Sequence, residues 1–149
     1  VTVLPGGPPC GCGKNGHLEA LSSGTGIANY VSRQMDAGRQ TILAQHPKPL
    51  TARAVAEAAC KGDELSIEAF EIAGEYLGRA IADLLHIFNP TIVILGGGVI
   101  KSGDLIMGPV RRSLAASTVS EEYLRDFELT TASLGDKVGL VGALALARS

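Results

Sequence analysis

Apolar residues recur every three or four positions through the middle of the chain: Phe70, Ala73, Leu77, Ala80 with Ile81, Leu84 and Phe88. That spacing lays a single stripe along a helix, so the pattern predicts one long core helix, starting at Asp63 and stopped by Asn89-Pro90. His86, near its end, reads as a solvent-facing or C-terminal capping group rather than a metal ligand. The period then changes. Thr91-Ile-Val-Ile-Leu95 is an unbroken β-branched and apolar run, as expected of a central strand covered on both faces. It leads directly into Gly96-Gly97-Gly98, where a ligand could lie against bare backbone at the carboxyl edge of a sheet. A plain tight turn accounts for the same glycines. The dinucleotide fingerprint G-x-G-x-x-G fails because Lys101 takes the last glycine position, and no P-loop follows, which disfavours NAD.

Shorter elements flank this centre. Val1 to Leu4 is a β-prone run closed by Pro5-Gly6-Gly7-Pro8-Pro9. Helical patterning follows from His17 to Leu21 and from Gly26 to Asp36, interrupted by Ser22-Ser23-Gly24-Thr25-Gly26. The interruption offers backbone amides and hydroxyls at a helix entrance, which suits an anion and equally suits an ordinary helix cap. A linker from Gly38 to Leu50 carries His46, Pro47 and Pro49, and Thr51 then caps an alanine-rich helix reaching about Cys60. Past the glycines, a helix is expected from about Gly103 to Thr118, tolerating Pro109 only near its first turns, with Arg111-Arg112 on a solvated face. Phe127 to Ala132 alternates as a strand, and a last helix is expected from Val138 to Arg148, one face of it nearly bare of bulk.

Composition narrows the class. With 149 residues, 46% of them apolar, the chain is the size of one domain and can build a core. A formal charge of −2 gives no reason to expect a nucleic-acid partner. No apolar run approaches the roughly 20 residues of a membrane span, so no membrane partner is expected. Three cysteines, two in a ligand-like pair, fit a reducing compartment, and the cytoplasm is the expected location. The chain opens on Val-Thr-Val-Leu without a methionine, as though cut into the end of a strand, and is read as a fragment or a processed half.

The densest chemistry lies near the start. Cys10-Gly-Cys-Gly-Lys-Asn-Gly-His17, followed by Leu18-Glu19, places two thiols, an imidazole and a carboxylate in one glycine-rich loop. Sulfur and imidazole nitrogen suit a tetrahedral zinc, and the glycines let closely spaced ligands converge. The set Cys10, Cys12 and His17 lacks a fourth member; Cys60, His46 and His86 all sit in stretches that read as helix or linker. A glycine-rich turn with incidental thiols is the alternative. A Cys10–Cys12 disulfide is poorer still, because the ring would be very small and strained.

Together with Ser23-Gly24, Asn89-Pro-Thr-Ile-Val-Ile-Leu-Gly-Gly-Gly-Val99 and Leu134-Gly-Asp-Lys-Val-Gly-Leu-Val-Gly-Ala143, this loop resembles the second half of the ROK family of sugar kinases and sugar-responsive repressors. The family's loop reads C-x-C-G-x-x-G-C-x-E in most members, and the one departure is His17 in place of the third cysteine. The resemblance implies an α/β fold, an actin-like ATPase (ribonuclease H-like) lobe with a mixed sheet flanked by helices and a small zinc-binding loop. Residues 1–24 would form the zinc and sugar loop region, and 25–149 the helical and ATP-side α/β core. It implies a C-terminal lobe of an ATP-dependent, glucokinase-like hexose kinase, with ATP, Mg²⁺ and Zn²⁺ as cofactors, a hexose such as glucose as substrate, and a homodimeric assembly. Glu19 would accept hydrogen bonds from sugar hydroxyls, a helix-start glutamate being the plainer alternative. Gly97 and Gly98 would border the adenosine, and Ser23, Gly24 and Thr25 would face the phosphates. The fourth zinc ligand, a histidine, the catalytic aspartate and an Asp-x-Gly-Gly-Thr phosphate loop would all precede Val1. The isolated chain is therefore expected to be inactive and to hold zinc weakly or not at all. Two other readings stay open: a sugar-sensing lobe of a ROK-type repressor, and a lobe serving assembly alone.

Overall fold

The computed structural model describes residues 1–133, 142–144, 146 and 147. They form a mostly helical α/β lobe. A loop of tight turns over residues 1–17 leads into α1 (Leu18–Ser22) and α2 (Gly24–Asp36); α3 (Ala52–Ala59) and α4 (Glu64–Phe88) follow. Then come β1 (Ile92–Leu95), a 3₁₀ turn (Gly98–Ser102), α5 (Asp104–Ser117), the short α6 (Glu122–Arg125) and β2 (Glu128–Thr131). The Val138 to Arg148 helix lies largely outside the described residues.

The caps form where the sequence signals them. Thr51 Oγ1 accepts the Ala54 amide at 3.2 Å and Ser23 Oγ accepts the Gly26 amide at 3.1 Å. Asp63 starts α4 by accepting the Ser66 amide at 3.0 Å, and Asn89 ends it in the left-handed conformation, φ 44°, with Pro90 behind it. Ser23 starts α2 earlier than the helical pattern from Gly26 suggests.

Helix α4 is the spine against which α1, α2, α3 and α5 pack. Phe70, Leu65, Leu85, Ile27, Val31, Val55, Ile106 and Val110 are fully buried around it. Against α5 it presents Gly74 and Gly78. A Cβ on Gly74 would stand 2.5 Å from Pro109 Cβ, and one on Gly78 would stand 2.6 Å from the Val110 carbonyl oxygen. Pro109 therefore sits inside α5, later than a first-turn position, and fills the hollow that Gly74 leaves. The expected solvated face of Arg111-Arg112 is present, with Arg112 paired to Glu71 at 2.6 Å.

Several expectations need correction. The apolar stripe does not stay inward to its end: Leu84 is 40% and Phe88 71% exposed, whereas Leu85 is fully buried. Beyond Ile81 the buried positions are Ala82 and Leu85; Leu85 continues the face of Gly74 and Gly78 that packs on α5, whereas Leu84 falls on the side of Leu77. Among the described residues, nothing fully covers the second face of strand β1. Val93 and Leu95 pack on the core, but Ile92 and Ile94 are 44% and 59% exposed. Among the described residues the only sheet is the parallel pair β1–β2, Ile92 opposite Glu128 through Leu95 opposite Thr131, so the expected mixed sheet is not found in them. The β-prone start forms no strand, only an antiparallel bridge between Thr2 and His17. The 38–50 linker is irregular yet anchored: Leu43 and Leu50 are buried, and Asp63 accepts Thr41 Oγ1 at 2.9 Å and the Ile42 amide at 3.0 Å. His86 is neither capping its own helix nor purely solvated. Its Nε2 accepts the Val119 amide at 3.1 Å and its ring meets Tyr123 edge-on at 5.2 Å, which ties α4 to the α5–α6 connection.

Candidate functional site: a metal knuckle beside a glycine-walled cleft

The loop before α1 is a knuckle closed by its own backbone. Cys10 N donates to Lys14 O at 2.8 Å, Gly13 N to Cys10 O at 3.0 Å and Gly16 N to Pro8 O at 2.9 Å. The Val3 and Leu4 amides both reach Gly16 O, at 2.9 and 3.1 Å. Gly16 has φ +70°, and a Cβ there would fall 1.7 Å from Leu4 O, so only glycine lets the strand-like start cross the knuckle this closely.

This closure brings Cys10 Sγ, Cys12 Sγ and a His17 ring nitrogen within 4.8 Å of one another. Ligands about 2.3 Å (sulfur) and 2.0–2.1 Å (nitrogen) from one tetrahedral zinc lie about 3.6 Å apart, so the three residues fit a zinc after small side-chain adjustments. Cys12 Sγ is already 3.2 Å from His17 Nδ1. The Lys14 amide, helped by the Cys10 thiol and the Lys14 charge, holds the Cys12 thiol below its ordinary value despite partial desolvation. For Cys10 the Cys12 amide pulls downward, but burial, the neighbouring Cys12 and the Glu19 carboxylate outweigh it and push the thiol up. Cys12 is thus the thiol that ionises first. None of the other sequence-derived candidates joins the group: Cys60 lies exposed after α3, His46 Nδ1 sits 3.0 Å from Pro47 O, and His86 is committed to Val119.

Glu19 links the knuckle to a cleft. It stands in the first turn of α1, with its Oε2 3.7 Å from the Cys10 thiol. A cavity of about 460 Å³ opens beside it, lined by Leu18, Glu19, Ser22, Ser23 and Gly24 from one side, Leu77 from the floor, and Leu95 to Ile100 from the other. Glu19, Ser23, Gly24, Gly97 and Gly98, dispersed in sequence, thereby share one wall-to-wall space. Thr25 is exposed and outside the lining. The Ser23 oxygen accepts the Gly26 amide, which leaves its proton and one lone pair for a ligand. Gly97, with φ +96°, turns the chain off β1, and Gly96 to Gly98 leave the middle of that wall without side chains.

Sequence reasoning missed Leu18, Leu77 and Leu95 as cleft residues and flagged Ser22 only as part of the 22–26 break. Leu77 was visible only as one more member of the α4 stripe. Ser22 donates from Oγ to Ala73 O at 2.7 Å and so fixes α1 on the spine; a lone serine gives no such signal in advance. Among the described residues no helix is long and apolar enough to cross a membrane.

Comparison with known proteins places this arrangement. The glucokinase of Thermotoga maritima is 32% identical over 149 residues, covering 98% of this chain and 47% of that protein. The Escherichia coli DNA-binding transcriptional dual regulator NagC is 28% identical over 151 residues, covering 99% of the chain and 36% of the regulator. In structure, a ROK family glucokinase from Streptomyces griseus, solved in complex with glucose and AMPPNP, superposes with a TM-score of 0.83 at 32% identity, covering 99% of this chain and 49% of that one. The chain spans less than half the length of each of these relatives. The profile of the ROK family matches residues 1–149, and the chain belongs to that family.

Proposed function

We propose that the chain is the C-terminal, ATP-side lobe of a cytoplasmic, homodimeric sugar kinase of the actin-like ATPase (ribonuclease H-like) fold, which transfers the γ-phosphoryl of ATP to a hydroxyl of a hexose, glucose foremost. The observation that carries this reading is the convergence of Glu19, Ser23, Gly24, Gly97 and Gly98 on one cleft beside the Cys10–Cys12–His17 knuckle. It is supported by the Streptomyces griseus relative, whose structure holds glucose and AMPPNP.

On this reading residues 1–24 build the sugar wall and residues 25–149 the nucleotide side. Glu19 accepts hydrogen bonds from sugar hydroxyls, Gly97 and Gly98 let the adenosine lie against backbone, and Ser23 and Gly24, but not Thr25, face the phosphates. Cys10, Cys12 and His17 would hold the zinc, which would supply rigidity to that wall and no step of the reaction. Mg²⁺ bound with ATP would neutralise phosphate charge, and an aspartate supplied from outside this chain would take the hydroxyl proton. The full-length protein is expected to phosphorylate glucose with ATP, the chain alone to show no turnover, and Glu19→Gln in the full-length protein to lose most of kcat/KM for sugar. A full-length protein that phosphorylates no hexose sinks the proposal.

The similarity to NagC supports a second reading, a sugar-sensing lobe of a repressor. Sequence upstream of Val1 separates the two: an Asp-x-Gly-Gly-Thr loop belongs with the kinase, a basic helix-turn-helix with the repressor.

A further inference from the structure

The third corner of the knuckle is an imidazole, which, unlike a thiolate, carries two potential ligand atoms on different sides of its ring. In this chain Nδ1 is the atom turned to the thiols, 3.2 Å from Cys12 Sγ. That is close to the separation of about 3.6 Å expected between a sulfur and a nitrogen on one tetrahedral zinc. The backbone that carries the ring is fixed at both ends. His17 is pinned by its bridge to Thr2, its carbonyl accepts the Ala20 amide at 3.0 Å, and the next residue, Leu18, donates to Val1 O at 3.0 Å. With the backbone fixed, reach decides. Nδ1 stands one bond further from Cβ than a cysteine sulfur does, whereas Nε2 stands two bonds further and would overshoot an ion drawn in by Cys10 and Cys12.

We infer that the knuckle binds its metal through Nδ1 of His17, with the ring proton on Nε2. The metal then sees two thiolates and a neutral imidazole nitrogen, and the outward Nε2–H is the group available to a supporting acceptor, as the second nitrogen of a ligating histidine usually is. The inference rests on the zinc reading given above and adds the ligand atom and the tautomer.

Nitrogen-15 histidine labelling of the reduced full-length protein, titrated with ZnCl₂ and followed by long-range proton–nitrogen correlation spectra, tests it. The expected result is a metal-induced shift at His17 Nδ1 with Nε2 protonated, while His46 and His86 keep their spectra. In parallel calorimetric titrations, His17→Ala should weaken zinc by more than the roughly 10–100-fold that losing a mere supporting group costs, and His17→Cys should restore binding. A metal shift at Nε2 with Nδ1 protonated overturns the inference and leaves the zinc reading intact, as does a His17→Ala chain that binds zinc as tightly as the parent. Absence of any zinc-dependent shift, in excess ZnCl₂ with both thiols reduced, overturns the zinc reading and the inference together.

Discussion

The knuckle over residues 8–17 and the α4–α5 contact are both built around glycine, but the glycines do opposite things. In the knuckle, Gly13 and Gly16 take positive φ so that polar backbone can fold on itself, and what is gathered is a set of donors: two sulfurs and a ring nitrogen. Between α4 and α5, Gly74 and Gly78 are ordinary helical residues whose missing side chains let two backbones close up, and what is gathered is apolar surface and packing. One region derives its order from chain geometry and a prospective ion, the other from exclusion of water. The first should therefore be dispensable to the stability of the lobe and the second should not.

The largest loss is expected at the centre of the spine. Phe70 is fully buried, and Phe70→Ala should cost about 3–5 kcal/mol in urea unfolding, since the cavity left adds to the lost transfer energy. A smaller but more specific effect tests the close approach itself. In Gly78→Ala the new Cβ would lie 2.6 Å from both the Val110 carbonyl oxygen and Ser113 Cβ, so α5 must move, at a cost of about 1–3 kcal/mol. If Gly78→Ala were neutral or stabilising, as alanine is in an open helix, the contact would not be close-packed and the contrast with the knuckle would fail.

Asp63 joins the helical core to the 41–43 segment and gives that region a pH dependence. Burial alone would raise its carboxyl, but the bonds from Ser66 Oγ, the Ile42 amide, Thr41 Oγ1 and the Ser66 amide outweigh it and hold the group below the ordinary 3.8. A folded-state value below the unfolded one means that the stabilisation is complete above the unfolded pKa and is lost as pH falls through the folded one. Urea midpoints should therefore hold from neutrality down to about pH 4 as far as this group is concerned, then drop. Asp63→Asn should cost about 1–2 kcal/mol at pH 7, because an amide NH₂ would face the Ser66 N–H, and should flatten the acid limb.

How much of this could be read in advance follows from where each signal resides. Asp63, Asn89 and Pro90 mark the ends of α4 because capping is local chemistry, and the structure ends the helix there. The inward face of its last turns was not legible. Leu84 and Leu85 both satisfy a spacing of three or four, and only the side on which α5 packs chooses the second. Gly74 and Gly78 escaped notice because a pattern of apolar side chains is blind to residues that have none. The donor set at Cys10, Cys12 and His17 was plain, since few other uses put those residue types so close together. The side of the imidazole that faces the thiols, the place of Leu77 in the cleft and the exposure of Ile92 and Ile94 all depend on elements distant in sequence.

The smallest expected effect is the sharpest test of the comparison. Cys12 is exposed and has no place in the apolar core, and its side-chain neighbour is His17. With metal chelated, Cys12→Ser should leave the urea midpoint within about 0.5 kcal/mol of the parent, as for surface substitutions that disturb no packing. With zinc added, the parent should gain stability by mass action, about 2.7 kcal/mol when free zinc exceeds its dissociation constant 100-fold, and the variant should gain much less. Cys10 would not make so clean a probe, because its side chain is buried against the knuckle and its thiol bonds Glu19. If Cys12→Ser destabilised the metal-free chain as much as Gly78→Ala does, the knuckle would be part of the lobe's cooperative core. Its thiols would then be packing groups first and ligands second.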